Sequence, residues 1–325
     1  MAILYYQKSI SREAVLGQFY PFRNPEKIAG MLIGNDLDAL LSAALLKTQF
    51  GWDVVGIYDY ETIWHSAADP DFPANLLSGK YLAVDLDLYH PNIPSIGHHI
   101  LEIKDREDLP GQRLALNPNL MRGISLQNYR FKYPLGTIHF LLWVLGIEIA
   151  DSAAQMLIWL ADSAYINGQT QRFRQNVSDW LNGFIKSETL LKTFRAIDRI
   201  EYEQQLRDAV IAQLVKISIC QPGGQIRSRH LKMTGYQCQW HNPAIQGADI
   251  QALNNLITEI TGWKTVRMPT DYRFIRGVRR HLGIPQIFER SPTLAEFLRE
   301  QAVFSYVFPF SKVICITNKL NLKPN

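Results

Sequence analysis

Residues 27–33, KIAGMLI, are a short apolar run closed by Gly34, the pattern of a buried strand. Residues 38–47, DALLSAALLK, follow with helical content and with small residues that permit close packing. Residues 53–58 (DVVGIY) read as a second strand and residues 80–86 (KYLAVDL) as a third. Strands alternating with a helical segment predict an α/β fold built on a parallel sheet with helices on both faces. Ligand-binding groups in such sheets gather beyond the carboxyl ends of the strands. The third strand is followed by a connection with Pro91 and Pro94, then by Ile96-Gly97-His98-His99-Ile100. Residues 136–145 (GTIHFLLWVL) and 151–160 (DSAAQMLIWL) predict two buried helices separated by a turn at Gly146.

From residue 190 to 216 the pattern becomes that of a charged amphipathic helix without Gly or Pro, long enough to be a connecting helix. Gln221-Pro222-Gly223-Gly224 is the clearest breaker in the chain and places a domain change near 216–224. The expected organisation is therefore a first domain over 1–190, a helical linker over 191–220 and a smaller mixed α/β domain over 221–325. The last of these ends in residues 304–317 (FSYVFPFSKVICIT), which are strand-like.

Composition excludes several classes. The chain has 325 residues, 47% apolar and 20% charged, enough for a packed core and too apolar for a disordered protein. Three cysteines, Cys220, Cys238 and Cys315, do not make a disulfide framework. No apolar run approaches the roughly 18 residues of a membrane helix, and residues 1–12 lack a signal pattern. A soluble cytoplasmic protein with no membrane partner is expected. The formal charge of +4 is uneven: residues 216–325 carry +9 and residues 1–215 carry −5. A basic surface that attracts polyanions is expected beside a region that concentrates carboxylates, unless the charge is simply scattered over solvated faces.

The carboxylates fall near the predicted strand ends. Asp36-Leu37-Asp38 follows the first strand and opens a helix, so it is either an N-cap with a solvated neighbour or a cation-binding pair. Asp85 and Asp87 end the third strand, where a turn-starting aspartate is the plain alternative. His98 and His99 follow on an extended segment, whose alternation is expected to turn them to opposite sides, one toward a metal and one toward a substrate. Asp162 closes the apolar run 156–161 and, if buried, needs a partner or a metal; otherwise it caps the next turn.

In this order, DLD, VDLD, GHH and LADS resemble the motif series of the DHH phosphoesterase superfamily over residues 27–168. Leu116-Asn117-Pro118-Asn119 and the Tyr-Pro-rich stretch 129–137 are similar to the corresponding stretches of RecJ-type single-strand exonucleases. The resemblance implies two Mn²⁺ ions, with Mg²⁺ as an alternative. Asp38, Asp85, His98 and Asp162 would surround one ion; Asp36 and Asp85 would reach the other, with Asp85 bridging. His99 would contact the scissile phosphate. An Asp/His set suits such ions better than the thiolate-rich sites of structural zinc.

The sequence departs from that pattern in three places. Gly97 stands where the third motif begins with Asp. Leu32 and Gly34 occupy the places of an upstream metal ligand, for which Asp87 or His90 are candidate substitutes. No GGGH-like motif follows the linker. The basic part offers Arg227, Arg229 and His230, then Arg273, Arg276, Arg279, Arg280 and His281, whose i, i+3, i+4 steps would form one helical face if residues 274–282 were helical. These arginines are the expected substrate-binding groups, neutralising phosphates without reading bases. Tyr236, Trp240, Trp263, Tyr272 and Phe274 are either base-stacking platforms or core. The expected function is Mn²⁺-dependent hydrolysis of single-stranded DNA or RNA, as an exonuclease. The alternatives are a phosphoesterase of oligoribonucleotides or cyclic dinucleotides, and a DHH scaffold without catalysis.

Overall fold

The computed structural model describes residues 4–164, 168, 171–196, 198–220 and 238–322. It is an α/β protein with two compact units, each assembled from separate stretches of chain. One comprises Met1–Ile33, Val55–Tyr133 and Asp271–Asn325; the other comprises Gly34–Val54 and Pro134–Thr270.

The first unit carries a seven-stranded, mostly parallel sheet. Its strands are β1 (Gly30–Ile33), β2 (Val54–Tyr58), β3 (Thr62–Ser66), β4 (Tyr81–Val84), β5 (Ser95–Ile96), β6 (Ala115–Leu116) and β7 (Tyr272–Arg276), in the order β6-β5-β4-β1-β2-β3-β7. The pairs β1/β4, β4/β5 and β5/β6 are parallel, while β2/β3 and β3/β7 are antiparallel. Every residue of β1 and β4 is buried, which is why both read as unbroken apolar runs rather than as alternating ones. Phe72 and Leu76 of the Phe72–Leu77 helix join Leu32, Tyr58, Ile63 and Ala83 in one apolar cluster. A second sheet of this unit, β8-β10-β9, is antiparallel and made of β8 (Val278–Gly283), β9 (Val303–Phe310) and β10 (Val313–Asn318). Leu88, just past β4, bridges to Ser305 of β9, and the Tyr58 hydroxyl lies 2.7 Å from Ser305 Oγ.

The second unit is helical. The Leu37–Phe50 helix is buried from Leu37 through Leu46, and packs against the helices Thr137–Leu145 and Pro243–Thr261. Its small residues Ala39, Ser42, Ala43 and Ala44 are fully enclosed. Among the described residues no helix is long and apolar enough to cross a membrane.

The expected strands and helices before residue 160 are present, and three expectations change. First, residues 273–282 are not a basic helix but β7 and β8. The arginine spacing suits two short strands as well as a helix, and long-range pairing decides: Arg273 lies opposite His65 and Arg280 opposite Ile316. Second, the chain does not divide cleanly at Gln221–Gly224, because β7, beyond that breaker, hydrogen-bonds to β3, far before it. Third, residues 190–216 are not one connecting helix. The Glu188–Ala196 helix stops, Asp198 caps a new start at Arg199, and Tyr202, Leu206, Val210 and Leu214 are buried within the second unit. The strand-like residues 304–317 are as expected, forming two antiparallel strands, β9 and β10.

Candidate metal centre

In the first unit the candidate residues leave the carboxyl ends of three adjacent parallel strands. β4 runs into Asp85 and Asp87, β5 into Gly97, His98 and His99, and β6 into Asn117 and Asn119. Asp85 adopts the left-handed backbone conformation, φ 57°. Aspartate tolerates that region better than most residues, but the surrounding structure must hold it there.

His98 Nδ1 stands 3.3 Å from Asp85 Oδ1, with both side chains largely enclosed. Two ligand atoms at about 2.2 Å from one octahedral ion lie about 3 Å apart, so this carboxylate and imidazole fit a shared divalent cation. His99 Nδ1 is 2.8 Å from Asp87 Oδ2, which also accepts from the His99 backbone N–H at 3.2 Å. The bond to Asp87 assigns the His99 proton to Nδ1 and leaves Nε2 as the unprotonated ring atom. The two imidazoles are stacked, centroids 4.5 Å apart and planes 24° from parallel. The expected opposite-side arrangement is therefore corrected: each ring is drawn to its own aspartate on the loop after β4, and both end on the same side.

Asp87 is 1% exposed, yet its carboxylate is well satisfied. Besides His99 it accepts from Asn117 Nδ2 at 2.9 Å, and the same amide donates to the His99 carbonyl. Asn117 Oδ1 in turn caps the Pro118–Arg122 helix. Asn119 Nδ2 donates to the His98 carbonyl at 2.7 Å, and its Oδ1 accepts from Tyr133 N. Asn117 and Asn119 thus hold the backbone of both histidines, a role not assigned from the sequence although the Asn-Pro-Asn stretch had signalled itself.

The geometry also accounts for Gly97. A Cβ built at that position would lie 2.2 Å from Asp87 Oδ1 and 2.5 Å from its Cγ. The Asp87 carboxylate occupies the space that a side chain at residue 97 would need. His90 does not take part in this network; its Nδ1 accepts from Asn92 N, in a turn. Tyr60, unremarked in the sequence, places its enclosed phenol near Asp87 and Asp85, and burial holds the hydroxyl protonated well above its usual range.

In the second unit, Asp36 is the N-cap of the Leu37–Phe50 helix, accepting from Ala39 N at 3.1 Å. Asp38, 1% exposed, accepts from Thr137 N at 2.6 Å and Ile138 N at 2.8 Å, at the start of the Thr137–Leu145 helix. Gly136 is needed for that approach, since its Cβ would fall 2.4 Å from Asp38 Oδ2. Asp162 follows the Ser152–Leu160 helix in the left-handed conformation, φ 53°, in a turn that packs on the Leu37–Phe50 helix.

The arginines are less available than expected. Arg276 gives Nη2 and Nε to Glu61 Oε1 at 2.7 and 2.9 Å. Arg279 gives Nε to Cys315 Sγ at 3.1 Å and stands 6.0 Å from the Tyr60 ring centroid. Arg280 reaches Asn318 Oδ1 at 3.4 Å, and Arg273 is exposed. Arg227, Arg229, His230 and Tyr236 lie outside the described residues. Trp240 and Trp263 are core, whereas Phe274 is 68% exposed and free to stack.

One more buried carboxylate lies nearby in sequence but outside this network. Glu102 is 1% exposed and accepts from the Tyr6 hydroxyl; burial, then the charges of Glu107 and Asp105, push it up to about 7. Because the folded state keeps a proton that the unfolded chain releases near 4.5, this group's contribution is greatest at low pH. It is lost as pH rises from about 4.5 to about 7. Glu102→Gln should therefore raise stability at pH 8 by on the order of 2 kcal/mol and change little at pH 5, measured by urea unfolding at both values.

Comparison with known proteins gives no match: no protein-family model, no curated protein and no solved structure matches the chain.

Proposed function

We propose that the chain is a divalent-metal-dependent phosphodiesterase of the DHH type, acting on single-stranded DNA or RNA. The observation that carries this reading is the Asp85–His98 pair at the strand ends, backed by the Asp87–His99 pair beside it. Asp85 and His98 are assigned to one ion on their geometry, and Asp38 joins them on the motif order alone. Asp36 and Asp162 are assigned to the same centre on the motif order alone. Carboxylate with imidazole is the donor chemistry of Mn²⁺ and related ions.

A divalent cation bound there supplies Lewis-acid activation of water and charge neutralisation at phosphorus. The residues do the rest. Asp87 fixes the His99 tautomer, so that Nε2 faces the phosphoryl oxygen whose charge grows in the transition state. Asn117 and Asn119 keep both imidazoles in place. Arg273 and Phe274, on the exposed part of β7, are the groups offered to a strand's phosphate and base.

A smaller substrate, such as a dinucleotide, is the second reading, favoured by the engagement of Arg276 and Arg279 with protein partners. The test is Mn²⁺ titration of the full chain with end-labelled single strands and with a dinucleotide, at rising salt. Cleavage of long strands that falls steeply with salt supports the first substrate class. Salt-insensitive cleavage of the dinucleotide supports the second. Absence of both cleavage and Mn²⁺ binding at millimolar metal overturns the proposal.

A further inference from the structure

The seven-stranded sheet of the first unit ends on one side at β6 and on the other at β7. The β6 edge is only Ala115 and Leu116, both buried. β7 is longer, and its pairing with β3 runs from Tyr272 opposite Ser66 to Arg276 opposite Thr62 without a shift. It has neither the proline nor the bulge that commonly blunts an edge strand, and Phe274 on it is largely exposed.

In an antiparallel pair, alternate residues give N–H and C=O to the neighbouring strand, and those between them turn both groups away. Ala67 N donates to the Asp271 carbonyl at 3.0 Å, and Gly277 N donates to the Glu61 carbonyl at 2.8 Å, one at each end of the ladder. Stepping in twos between these ends, Arg273 and Ile275 face β3, while Tyr272, Phe274 and Arg276 turn their backbone groups to the free edge. Among the described residues no strand pairs with that edge. Its alternation of donors and acceptors selects a polypeptide in extended form, because a phosphate backbone offers acceptors only.

The side chains select a second copy of β7. Laid antiparallel on itself with Phe274 facing Phe274, the strand sets Tyr272 opposite Arg276 and Arg273 opposite Ile275. That register pairs all three outward residues of each strand and opposes no like charges. A shift by one hydrogen-bonded step either way loses one of the three, and one of the two shifts sets Arg273 against Arg273. Arg276 adds little repulsion, since Glu61 holds its guanidinium at 2.7 Å, and for the same reason the edge makes little call for an acidic partner.

We propose that β7 pairs antiparallel with β7 of a second copy of the chain about a two-fold axis at Phe274, joining two seven-stranded sheets into one. The pairing uses backbone groups and needs no cation, so it stands or falls independently of the hydrolase reading. A strand of 5 residues buries less than the roughly 1,200 Å² of a stable complex, which sets a Kd of about 10–100 µM.

The test is sedimentation equilibrium of the full chain with a chelator, from about 5 to about 500 µM, with amide hydrogen exchange at both ends of that range. A monomer–dimer equilibrium is expected, with the Tyr272, Phe274 and Arg276 amides exchanging about threefold or more slowly at the higher concentration. Phe274→Pro removes an outward N–H and spares the β3 ladder, and Phe274→Lys sets two cations face to face; each should weaken the dimer at least about tenfold. Ile200→Ser and Ile245→Ser, at exposed apolar positions elsewhere, should leave it unchanged. A dimer that survives both Phe274 variants overturns the proposal, as do edge amides protected equally at both concentrations. A monomer throughout, with fast-exchanging edge amides, leaves the edge to a foreign strand and overturns it too.

Discussion

Asp85→Asn is expected to lower Mn²⁺ affinity and phosphodiester hydrolysis together, the latter by about 10³-fold or more, a loss of about 4 kcal/mol in transition-state stabilisation. The substitution keeps the shape of the side chain and removes its charge, so the left-handed turn at residue 85 survives. What changes is the pairing with His98, 3.3 Å away. Titration calorimetry measures the metal, and end-labelled strands measure the reaction. Far-ultraviolet circular dichroism shows that the fold is intact. A variant that binds Mn²⁺ as tightly as the parent would remove Asp85 from the centre.

The second large effect concerns the space shared by residues 87 and 97. Gly97→Asp should be strongly destabilising, about 3 kcal/mol, because its Cβ enters the space of the Asp87 carboxylate. Asp87→Ala alone removes the acceptor of the His99 Nδ1–H and of Asn117 Nδ2, and should reduce activity about 10–100-fold, as loss of a positioning carboxylate does. The double variant Asp87→Ala with Gly97→Asp empties the space before refilling it. It should regain both stability over Gly97→Asp and activity over Asp87→Ala. A strictly additive double variant would show that the two positions do not substitute for one another. Loss of the His99 Nδ1–H signal by NMR in Asp87→Ala, and its return in the double variant, distinguishes positioning from a general loss of structure.

Local pattern carries a definite share of this protein. The fully apolar runs at 30–33 and 81–84 read as strands covered on both faces, and Asp36 ahead of an apolar, small-residue segment announces the helix it caps. These features depend on neighbours a few residues apart, so the sequence contains everything needed to read them. Asp36, Asp38, Asp85, Asp87, His98 and His99 were legible for the same reason, each following a strand or opening a helix, whereas Asp162 follows a helix.

Other features depended on partners dozens or hundreds of residues away. Arg273 and Arg280 carry the same spacing in a helix or in two strands. Only the backbone pairing of β7 with β3, and of β8 with β10, chooses between them. The stacking of His98 on His99 could not follow from their adjacency, because backbone alternation alone separates the rings. Hydrogen bonds from the loop after β4 bring them together. Gly97 looked like a lost carboxylate until the Asp87 carboxylate was seen to lie where a side chain at 97 would go. Sequence order thus determined which groups were available and which strands and helices would present them. Tertiary packing decided which oxygen meets which nitrogen, because those distances are set by the register of non-neighbouring strands.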